Sequence, residues 1–374
     1  MSGTSEALQV TPLSALHHGM GAKMVPFAGY EMPLQFSHGI IHEHRHTRAS
    51  ASLFDVSHMG QVCLSGDGAG AALETLVPAD VIGLADGTQC YSVFTNDHGG
   101  IEDDLIIARQ GGSYLLVFNA MRRQADLARL TTLSNKDCYV TPLDRALLAI
   151  QGPFAAEVMS RHAHVAELYF LRMATIEIMG AVCWVSRSGY TGEDGFEISL
   201  PASDALRIAE ALLEDPSLAP AGLGARDVLR LEAGLCLYGH DIDSNTTVAE
   251  AALNWTIAPA RRPNGIRGGG FPGTETVFTE LENGPKRVRC GLTIEGRAVA
   301  REGTEVYDEY NQAVGQITSG TFSPELELPI AMAYIERSCA TVGTRLTVGV
   351  RNKQIPATVT KLPFVQTRYV RREQ

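Results

Sequence analysis

The chain has 374 residues, of which 45% are hydrophobic and 20% are charged, a composition typical of a soluble globular protein. At about 100–200 residues per domain, this length predicts two or three domains. Lysine plus arginine is 31 and aspartate plus glutamate is 42, so the formal net charge is −11. That balance argues against general binding to nucleic acid or to an anionic membrane, because both require a basic surface.

The seven cysteines indicate reduced thiols rather than a disulfide framework. Their number is odd and none forms a CxxC pair, whereas small secreted scaffolds carry even, clustered sets. Residues 1–10 contain no basic residue and no apolar segment of the signal-peptide type. No stretch approaches the roughly 18 apolar residues of a membrane-spanning helix. We therefore expect a cytoplasmic protein.

In the first part of the chain, short helices alternate with strands that follow one another through tight turns. Helices are predicted at 11–17, 37–51, 69–76 and 120–133, the last of them capped by Asn119. Strands are predicted at 61–65, 90–95, 101–108 and 114–118. Because the connections are hairpin-like, we expect an antiparallel meander with helices attached, which is an α+β fold.

Further along, the pattern continues and then changes. Strands are predicted at 147–150, 174–178, 182–186 and 195–200, and helices after Gly152, at 202–213 and at 224–233. The glycine-rich segment 261–273 is a candidate linker. Beyond it lie short β-rich runs at 288–294, 304–307, 313–318, 330–335, 345–350 and 356–360. These runs predict a small all-β barrel or sandwich at the C-terminal end.

Two short motifs each allow a functional and a structural interpretation. His42, Glu43 and His46 fit H-E-x-x-H, which binds zinc on a helix when a third ligand is available. No third ligand follows at the expected spacing, so a solvated, histidine-rich helix face is favoured. Gly66–Ala71 fits the dinucleotide fingerprint G-x-G-x-x-A between a strand and a helix. The strands that follow resemble hairpins rather than parallel crossovers, which favours a simple helix start.

Charged side chains in two predicted elements are candidates for ligand binding. Glu102, Asp103 and Asp104 lie inside an apolar strand, where Asp103 faces away from the other two. Because a buried carboxylate needs a partner, this is either an exposed strand end or a carboxylate held against a polar ligand. Arg226 and Arg230 share one face of the helix at 224–233. They are either solvated or form a clamp for a carboxylate ligand.

Segments along nearly the whole chain resemble the aminomethyltransferase family of the glycine cleavage system, the T-proteins. They are Thr11-Pro12-Leu13, GAKMVPFAG at 21–29, LFDVSHM at 53–59, GGIEDDL at 99–105, SGYTGEDGFE at 188–197, ARDVLRLEAGLCLYG at 225–239 and LPFV at 362–365. Their order along the chain makes the resemblance specific. In this family the pattern around His44 and His46 has no metal role, so the resemblance implies no metal.

The resemblance implies a reaction and an architecture. A lipoylated carrier, the H-protein, presents an S-bound aminomethyl group, and its one-carbon unit passes to tetrahydrofolate, giving 5,10-methylenetetrahydrofolate and ammonia. Two α+β lobes with antiparallel sheets, which can interleave, would occupy 1–280, and a β-barrel would occupy 281–374, as three lobes around a central channel. Other glycine cleavage proteins are implied partners. The compartment would be the cytoplasm, or the mitochondrial matrix for a processed eukaryotic chain.

The family's motif positions also imply roles for individual residues. Asp104 is the implied catalytic residue, which orients the pterin for attack by its N5 atom. Glu197 is implied to bind the donor edge of the pterin, and Arg226 and Tyr369 to bind folate. Further residues implied to line the same cavity are Met59, Tyr91, Asn119 and Tyr190, with Tyr238 and Trp255 beyond them. Glu102 is a departure, because the family usually has an apolar residue there.

Two rival functions stay open on the sequence alone. A folate-dependent demethylase on the same scaffold would accept a methyl group from a small donor without a carrier. A folate-binding assembly factor for iron–sulfur proteins would carry a cysteine motif, which the turn at Ser188–Glu193 lacks. For any anionic folate, the acidic chain must concentrate its positive charge locally. We expect Arg226 and Arg230 inside the site and other basic residues of 261–289 and 368–372 around its rim.

Overall fold

The structure, a computed structural model, describes residues 7–351 and 353–372. Its helices are α1 (Ser14–Gly19), α2 (Ile40–Ala49), α3 (Ala69–Glu74), α4 (Arg123–Thr131), α5 (Ala155–Ser160), α6 (Ala205–Leu213), α7 (Leu223–Glu232) and α8 (Thr274–Asn283). Its first strands are β1 (Gln9–Val10), β2 (Lys23–Phe27), β3 (Tyr30–Gln35), β4 (Ala51–Asp55), β5 (Gly60–Ser65), β6 (Thr88–Thr95), β7 (Ile101–Gln110), β8 (Ser113–Phe118), β9 (Tyr139–Pro142) and β10 (Arg145–Gln151). The others are β11 (Met173–Ile178), β12 (Ala181–Ser186), β13 (Gly195–Pro201), β14 (Leu218–Pro220), β15 (Arg287–Ile294), β16 (Glu305–Tyr307), β17 (Ala313–Ser323), β18 (Leu328–Glu336), β19 (Arg345–Val350) and β20 (Lys353–Thr360).

A six-stranded sheet in the order β11-β12-β13-β10-β4-β14 forms the core of the first lobe. Its central strand β10 is buried on both faces, which explains the unbroken apolar run of its sequence. Leu148 and Ile150 pack toward α5 and α6, whereas Leu147 and Ala149 pack toward α7. The sheet therefore holds α7 firmly on the face that looks toward the other lobes.

A five-stranded sheet in the order β6-β7-β8-β5-β9 forms the second lobe, and all its pairings are antiparallel. The expected meander is confirmed. The dinucleotide-binding hypothesis for Gly66–Ala71 is wrong, because β5 pairs antiparallel with β8 and β9 and takes part in no parallel crossover. The strands of this lobe lie between β4 and β10 along the chain, so the two lobes interleave.

The third lobe is a closed barrel in the order β15-β18-β17-β16-β19-β20. The expected small all-β barrel is confirmed, and with it the α+β architecture of three lobes. Its interior is filled by small and branched side chains such as Leu292, Ala333 and Val348. The barrel strands begin at Arg287. The division into 1–280 and 281–374 stays a prediction.

The glycine-rich segment 261–273 packs against the second lobe, so its interpretation as a linker is wrong. Arg261 is 4% exposed and its Nη1 atom lies 2.7 Å from Oε2 of Glu74 in α3. Phe271 is buried in a cluster with residues of β6 and β7. The composition of the segment could not predict these contacts, because the contacted residues lie nearly two hundred positions earlier in the chain.

A buried network of charged side chains joins the lobes. Arg48 in α2 donates to Glu232 in α7 at 2.6 Å and to Glu193 at 2.7 Å. Glu232 also accepts hydrogen bonds from the ring nitrogen of His44 at 2.7 Å and from the hydroxyl of Ser323 in the barrel strand β17 at 2.5 Å. Buried ion pairs of this kind are stable only when every partner is present. The network therefore links the first lobe, the turn at 188–194 and the barrel.

Two helices begin later in the structure than the sequence predicts. The helix expected from Thr11 begins at Ser14, and the Thr11 hydroxyl donates to Asp55 at 2.6 Å. The helix expected from Ser37 begins at Ile40, with Gly39 as its capping residue. The start of α1 is set by the tertiary contact of Thr11, and the start of α2 is set by the backbone conformation of Gly39. No helix within the described ranges has both the length and the apolar run needed to cross a bilayer.

Candidate functional site

A cavity of about 1340 Å³ lies where the two interleaved lobes, the barrel and the C-terminal segment 361–372 meet. Its wall contains every residue that the family motifs indicated: Met59, Tyr91, Asp104, Asn119, Tyr190, Glu197, Arg226, Tyr238, Trp255 and Tyr369. All of them are half-buried except Trp255, which is exposed and stacks on Tyr91 at 5.4 Å. The fold thus brings together side chains that are widely separated along the chain.

Asp104 points from β7 into this cavity and is held by Asn119. The Nδ2 atom of Asn119 donates to Oδ1 of Asp104 at 2.7 Å and to Oδ1 of Asp103 at 2.8 Å. Asn119 does precede a helical turn, but its side chain makes no capping hydrogen bond. The asparagine that was expected to cap a helix therefore orients two neighbouring carboxyl groups.

The three acidic residues of β7 have different surroundings. Glu102 forms an ion pair with Arg122 at 2.7 Å, outside the cavity lining. Asp103 is fully buried on the opposite face of the strand, and Asp104 lines the cavity. The alternation expected from the sequence is confirmed. Of these three acids, Asp104 is thus the one that faces the cavity, and the additional acid Glu102 is paired with Arg122.

The pKa of Asp104 is raised to about 7, first because of burial and second because of the Asp103 carboxyl. Hydrogen bonds from Asn119 and Tyr91 act in the opposite direction. Asp103 can repel a charge on Asp104 only while Asp103 is itself ionised. Burial and the adjoining Asp126 carboxyl raise the pKa of Asp103 as well. Near neutral pH, Asp104 can therefore exchange a proton.

A second polar group of the cavity contains Glu197 and Arg226. The hydroxyl of Ser188 donates to Oε2 of Glu197 at 2.6 Å. The guanidinium of Arg226 lies 4.6 Å from the ring centre of Tyr190, and its Nη1 atom is buried without a hydrogen-bond partner in the described chain. Burial lowers the pKa of Arg226. An unsatisfied cation of this kind is available for an oxygen acceptor on a ligand.

Arg230 does not join Arg226 in a clamp, which corrects the expectation for this helix. Arg230 is 2% exposed and pairs with Asp241 at 2.5 Å and with Asp227 at 2.9 Å. Its charge is therefore neutralised within the protein. The two arginines therefore form neither a solvated face nor a double clamp. Arg230 is held in an internal ion pair, whereas Arg226 has no ion-pair partner in the described chain.

The C-terminal segment closes one side of the cavity. Tyr369 stacks on Phe170 with ring centres 4.1 Å apart, and the guanidinium of Arg371 lies 4.9 Å from the Phe170 centre. The backbone N–H of Phe170 donates to the carbonyl of Val370 at 2.7 Å. Sequence reasoning found Tyr369 and expected Arg371 at the rim, but it missed Phe170. Only the fold brings residue 170 next to this segment.

His58 is a second cavity residue that sequence reasoning missed. It is 5% exposed, and its Nδ1 atom has no hydrogen-bond partner in the part of the chain described. Burial lowers its pKa to about 4, so the imidazole is neutral. The motif LFDVSHM contained the signal, because His58 precedes Met59 there. Of the basic residues expected at the rim, the cavity lining includes only Arg289 and Arg371 among those described.

The H-E-x-x-H motif lies on α2, where its two histidines stay together but its glutamate points away from them. Glu43 is buried and accepts backbone N–H groups of Phe36 at 2.5 Å and Gly222 at 2.9 Å. His42 is exposed and stacks on His46 at 6.3 Å. Glu43 therefore stabilises the backbone and is not available as a base beside a metal. The described ranges contain no group of three or more histidine, cysteine or acidic side chains that could hold a metal ion.

Comparison with known proteins gives matches over nearly the whole chain. Residues 13–261 match the family described as "GCVT N-terminal domain", and residues 287–366 match "Glycine cleavage T-protein C-terminal barrel domain". The chain is 42% identical to a mitochondrial aminomethyltransferase of Dictyostelium discoideum, covering 98% of this chain and 94% of that protein. It is 43% identical to the mitochondrial aminomethyltransferase of Canis lupus familiaris, covering 99% and 93%.

A solved structure is similar in fold as well. The crystal structure of glycine cleavage system aminomethyltransferase T from Bartonella henselae superposes with a TM-score of 0.90 at 40% identity. The match covers 97% of this chain and 100% of that one. All three lobes therefore have counterparts in a solved protein.

Proposed function

The chain belongs to the glycine cleavage T-protein family and is an aminomethyltransferase, and we propose that its central cavity binds tetrahydrofolate and admits the aminomethyl-lipoyl arm of an H-protein. The observation that carries the proposal is the pair of polar groups in one cavity. Asp104 with Asn119 supplies a carboxylate that titrates near neutral pH, and Glu197 with Arg226 supplies a carboxylate and an unpaired cation.

The chemistry of folate suits these groups. A carboxylate accepts two parallel N–H bonds, which is what the donor edge of a pterin presents to Glu197. The free Nη1 of Arg226 donates to an oxygen acceptor of the folate. Tyr369 and Tyr91 offer flat aromatic faces for the remaining rings. Asp104 is then left for the reactive edge of the cofactor, where its carboxylate orients N5 and N10.

The size of the cavity supports two substrates rather than one. Most small-molecule sites have volumes of roughly 300–1,000 Å³, whereas this cavity measures about 1340 Å³. One folate would leave part of that space empty. We infer that the additional volume receives the lipoyl arm, so that the aminomethyl group meets N5 inside the protein and away from water.

The reaction balances without a redox partner. The carbon–sulfur bond to the lipoyl arm and the carbon–nitrogen bond to ammonia break, and bonds from the methylene carbon to N5 and N10 form. The protons leave N5 and N10 and appear on the dihydrolipoyl thiol and on ammonia. A carboxylate near N5 and N10 can accept one of these protons if it lies within hydrogen-bond reach. Asp104 is the candidate for that transfer.

The decisive experiment mixes the protein with tetrahydrofolate and aminomethylated H-protein and measures ammonia and methylenetetrahydrofolate together. We expect equal amounts of both products, and none with H-protein that lacks the aminomethyl group. The demethylase alternative predicts the opposite pattern. Methylation of tetrahydrofolate by a small sulfonium or amine donor, with aminomethylated H-protein left unchanged, would contradict the proposal.

The remaining features of the proposal follow from the same role. We propose that the protein cooperates transiently with the lipoylated H-protein and with the other glycine cleavage proteins, and that it requires no metal. Its compartment stays a prediction of the sequence, the cytoplasm or a mitochondrial matrix, although several relatives carry the word mitochondrial in their names.

A further inference from the structure

Two fully buried carboxyl groups lie side by side behind Asp104. Asp103 belongs to β7 and Asp126 to the first turn of α4, and both are 0% exposed. Asp103 accepts the backbone N–H of Asn119 at 3.1 Å and its Nδ2–H at 2.8 Å. Neither oxygen of Asp126 receives a hydrogen bond from an N–H or O–H group of the described residues. A buried acceptor without a donor is costly.

A proton on Asp103 would satisfy Asp126, because the two carboxyl groups are in contact. Two adjacent buried carboxylates cannot both be ionised, so the pair holds at least one proton near neutral pH. Arg122 and Arg129 face Asp126, and the N-terminal end of a helix also favours an anion there. Those charges favour an ionised Asp126 and leave the proton on Asp103.

We propose that Asp126 is a positioning residue that acts through Asp103. The pair shares one proton, which resides on Asp103, and the neutral Asp103 allows its neighbour Asp104 to ionise. Asn119 connects them, since its single amide group binds both Asp103 and Asp104. The inference rests on the proposed role of Asp104 in the aminomethyl transfer.

Several other titratable groups face the three acids. Those facing the Asp103–Asp126 pair are Glu102, Arg122, Arg129 and Tyr238. Those facing Asp104 are Tyr91, Tyr190 and Cys236, and burial raises the pKa of each of these three. These three groups are thus neutral near pH 7, and Asp103 is the neighbour whose charge can change the ionisation of Asp104.

The pKa of Asp104 should move in Asp126→Asn in the direction opposite to the one that direct charge repulsion predicts. Asp126→Asn removes a negative charge, which by direct repulsion alone would lower the pKa of Asp104. In the proposed arrangement, Asp103 instead loses the carboxylate that accepts its proton, and the N–H groups of Asn119 and of the new amide at position 126 stabilise its ionised form. The charge then lies on the immediate neighbour of Asp104, and we expect its pKa to rise by about one unit, the lower end for a like charge at short range.

The experiment is the pH profile of kcat/KM for carrier-dependent methylenetetrahydrofolate formation, recorded across the neutral range. The variants are Asp126→Asn, Asp103→Asn and the double variant, with Asp97→Asn in the exposed turn after β6 as the control for loss of one acid. We expect the acidic limb to move upward in Asp126→Asn only. It should stay in place in Asp103→Asn, in the double variant and in the control.

Each outcome decides the question. A limb that moves downward or not at all in Asp126→Asn overturns the inference, as does an upward shift that persists in the double variant. If Asp126→Asn does not fold, Asp103→Asn still tests it, because a downward shift there means that Asp103 is normally ionised. Absence of carrier-dependent activity in the wild-type protein would overturn the proposed function and this inference with it. An active wild type with unshifted variants removes the inference alone.

Discussion

Replacing Arg226 by alanine tests the binding side of the proposal most directly. The Nη1 atom of Arg226 is buried and unpartnered in the described chain, so its hydrogen-bonding capacity is reserved for a ligand. A hydrogen bond to a charged group contributes about 1.5–3 kcal/mol, which corresponds to roughly a 10- to 150-fold increase in the Kd for tetrahydrofolate. Turnover at saturating folate should change much less.

Arg230→Ala is the matched control, and the two variants should differ in the free energy of unfolding of the unliganded protein. Arg226 has no carboxylate within ion-pair distance among the described residues, so its removal should change the free energy of unfolding by no more than about 1 kcal/mol, mainly through lost contact with the Tyr190 ring. Arg230, one helical turn away, pairs with the buried Asp241. Arg230→Ala should therefore destabilise the protein by about 3–5 kcal/mol, because it leaves a buried carboxylate uncompensated.

The assay is a calorimetric titration of each folded variant with tetrahydrofolate, combined with urea denaturation without ligand. Unaltered folate affinity in Arg226→Ala would refute the assignment. So would a loss of stability as large as that of Arg230→Ala, since Arg226 would then be a structural residue like its neighbour.

Three further outcomes are expected. Asp104→Asn should lower kcat by about 10²-fold, the lower range for a proton-transferring group, with little change in folate affinity, and unchanged turnover in the carrier-dependent assay would contradict its role. Wild-type turnover should fall as the pH drops below neutrality, because burial raises the pKa of Asp104 and its carboxylate becomes protonated there, and a flat profile would speak against an ionised Asp104. Arg48→Met should cost about 3–5 kcal/mol of stability in urea denaturation, because it strands the buried Glu232 and Glu193.

Much of the secondary structure followed from local sequence. The acidic run in β7 shows why: alternation alone placed Asp103 on one face and Asp104 on the other, and the structure agrees. The barrel strands were predictable for the same reason, since short alternating runs between turn residues have few other interpretations. Element boundaries shifted where a tertiary contact competed, as at Thr11, whose hydroxyl binds Asp55.

The partners of charged residues could not be derived from local sequence. Arg226 and Arg230 are the same residue type on one helix and both line the cavity, yet Arg230 pairs with Asp241 whereas a buried nitrogen of Arg226 has no partner in the described chain. Glu43 was expected on a solvated helix face, yet it is buried and binds the backbone N–H of Gly222, far along the chain. The residues that the resemblance to a known family indicated line one cavity, and their individual roles stay predictions. The resemblance did not indicate Asp126, whose importance depends on its contact with Asp103.

The path of the chain around the cavity also sets the order in which the site can be completed during synthesis. The lining runs from Val25 to Arg371, and Val365 and Val370 return to contact Glu232 and Phe170 only after the barrel has been made. A ribosome-bound chain can therefore fold both interleaved lobes while the cavity still lacks one wall. With one wall missing, the proposed folate site offers the ligand fewer contacts, so we expect folate to stabilise such an intermediate less than it stabilises the finished protein.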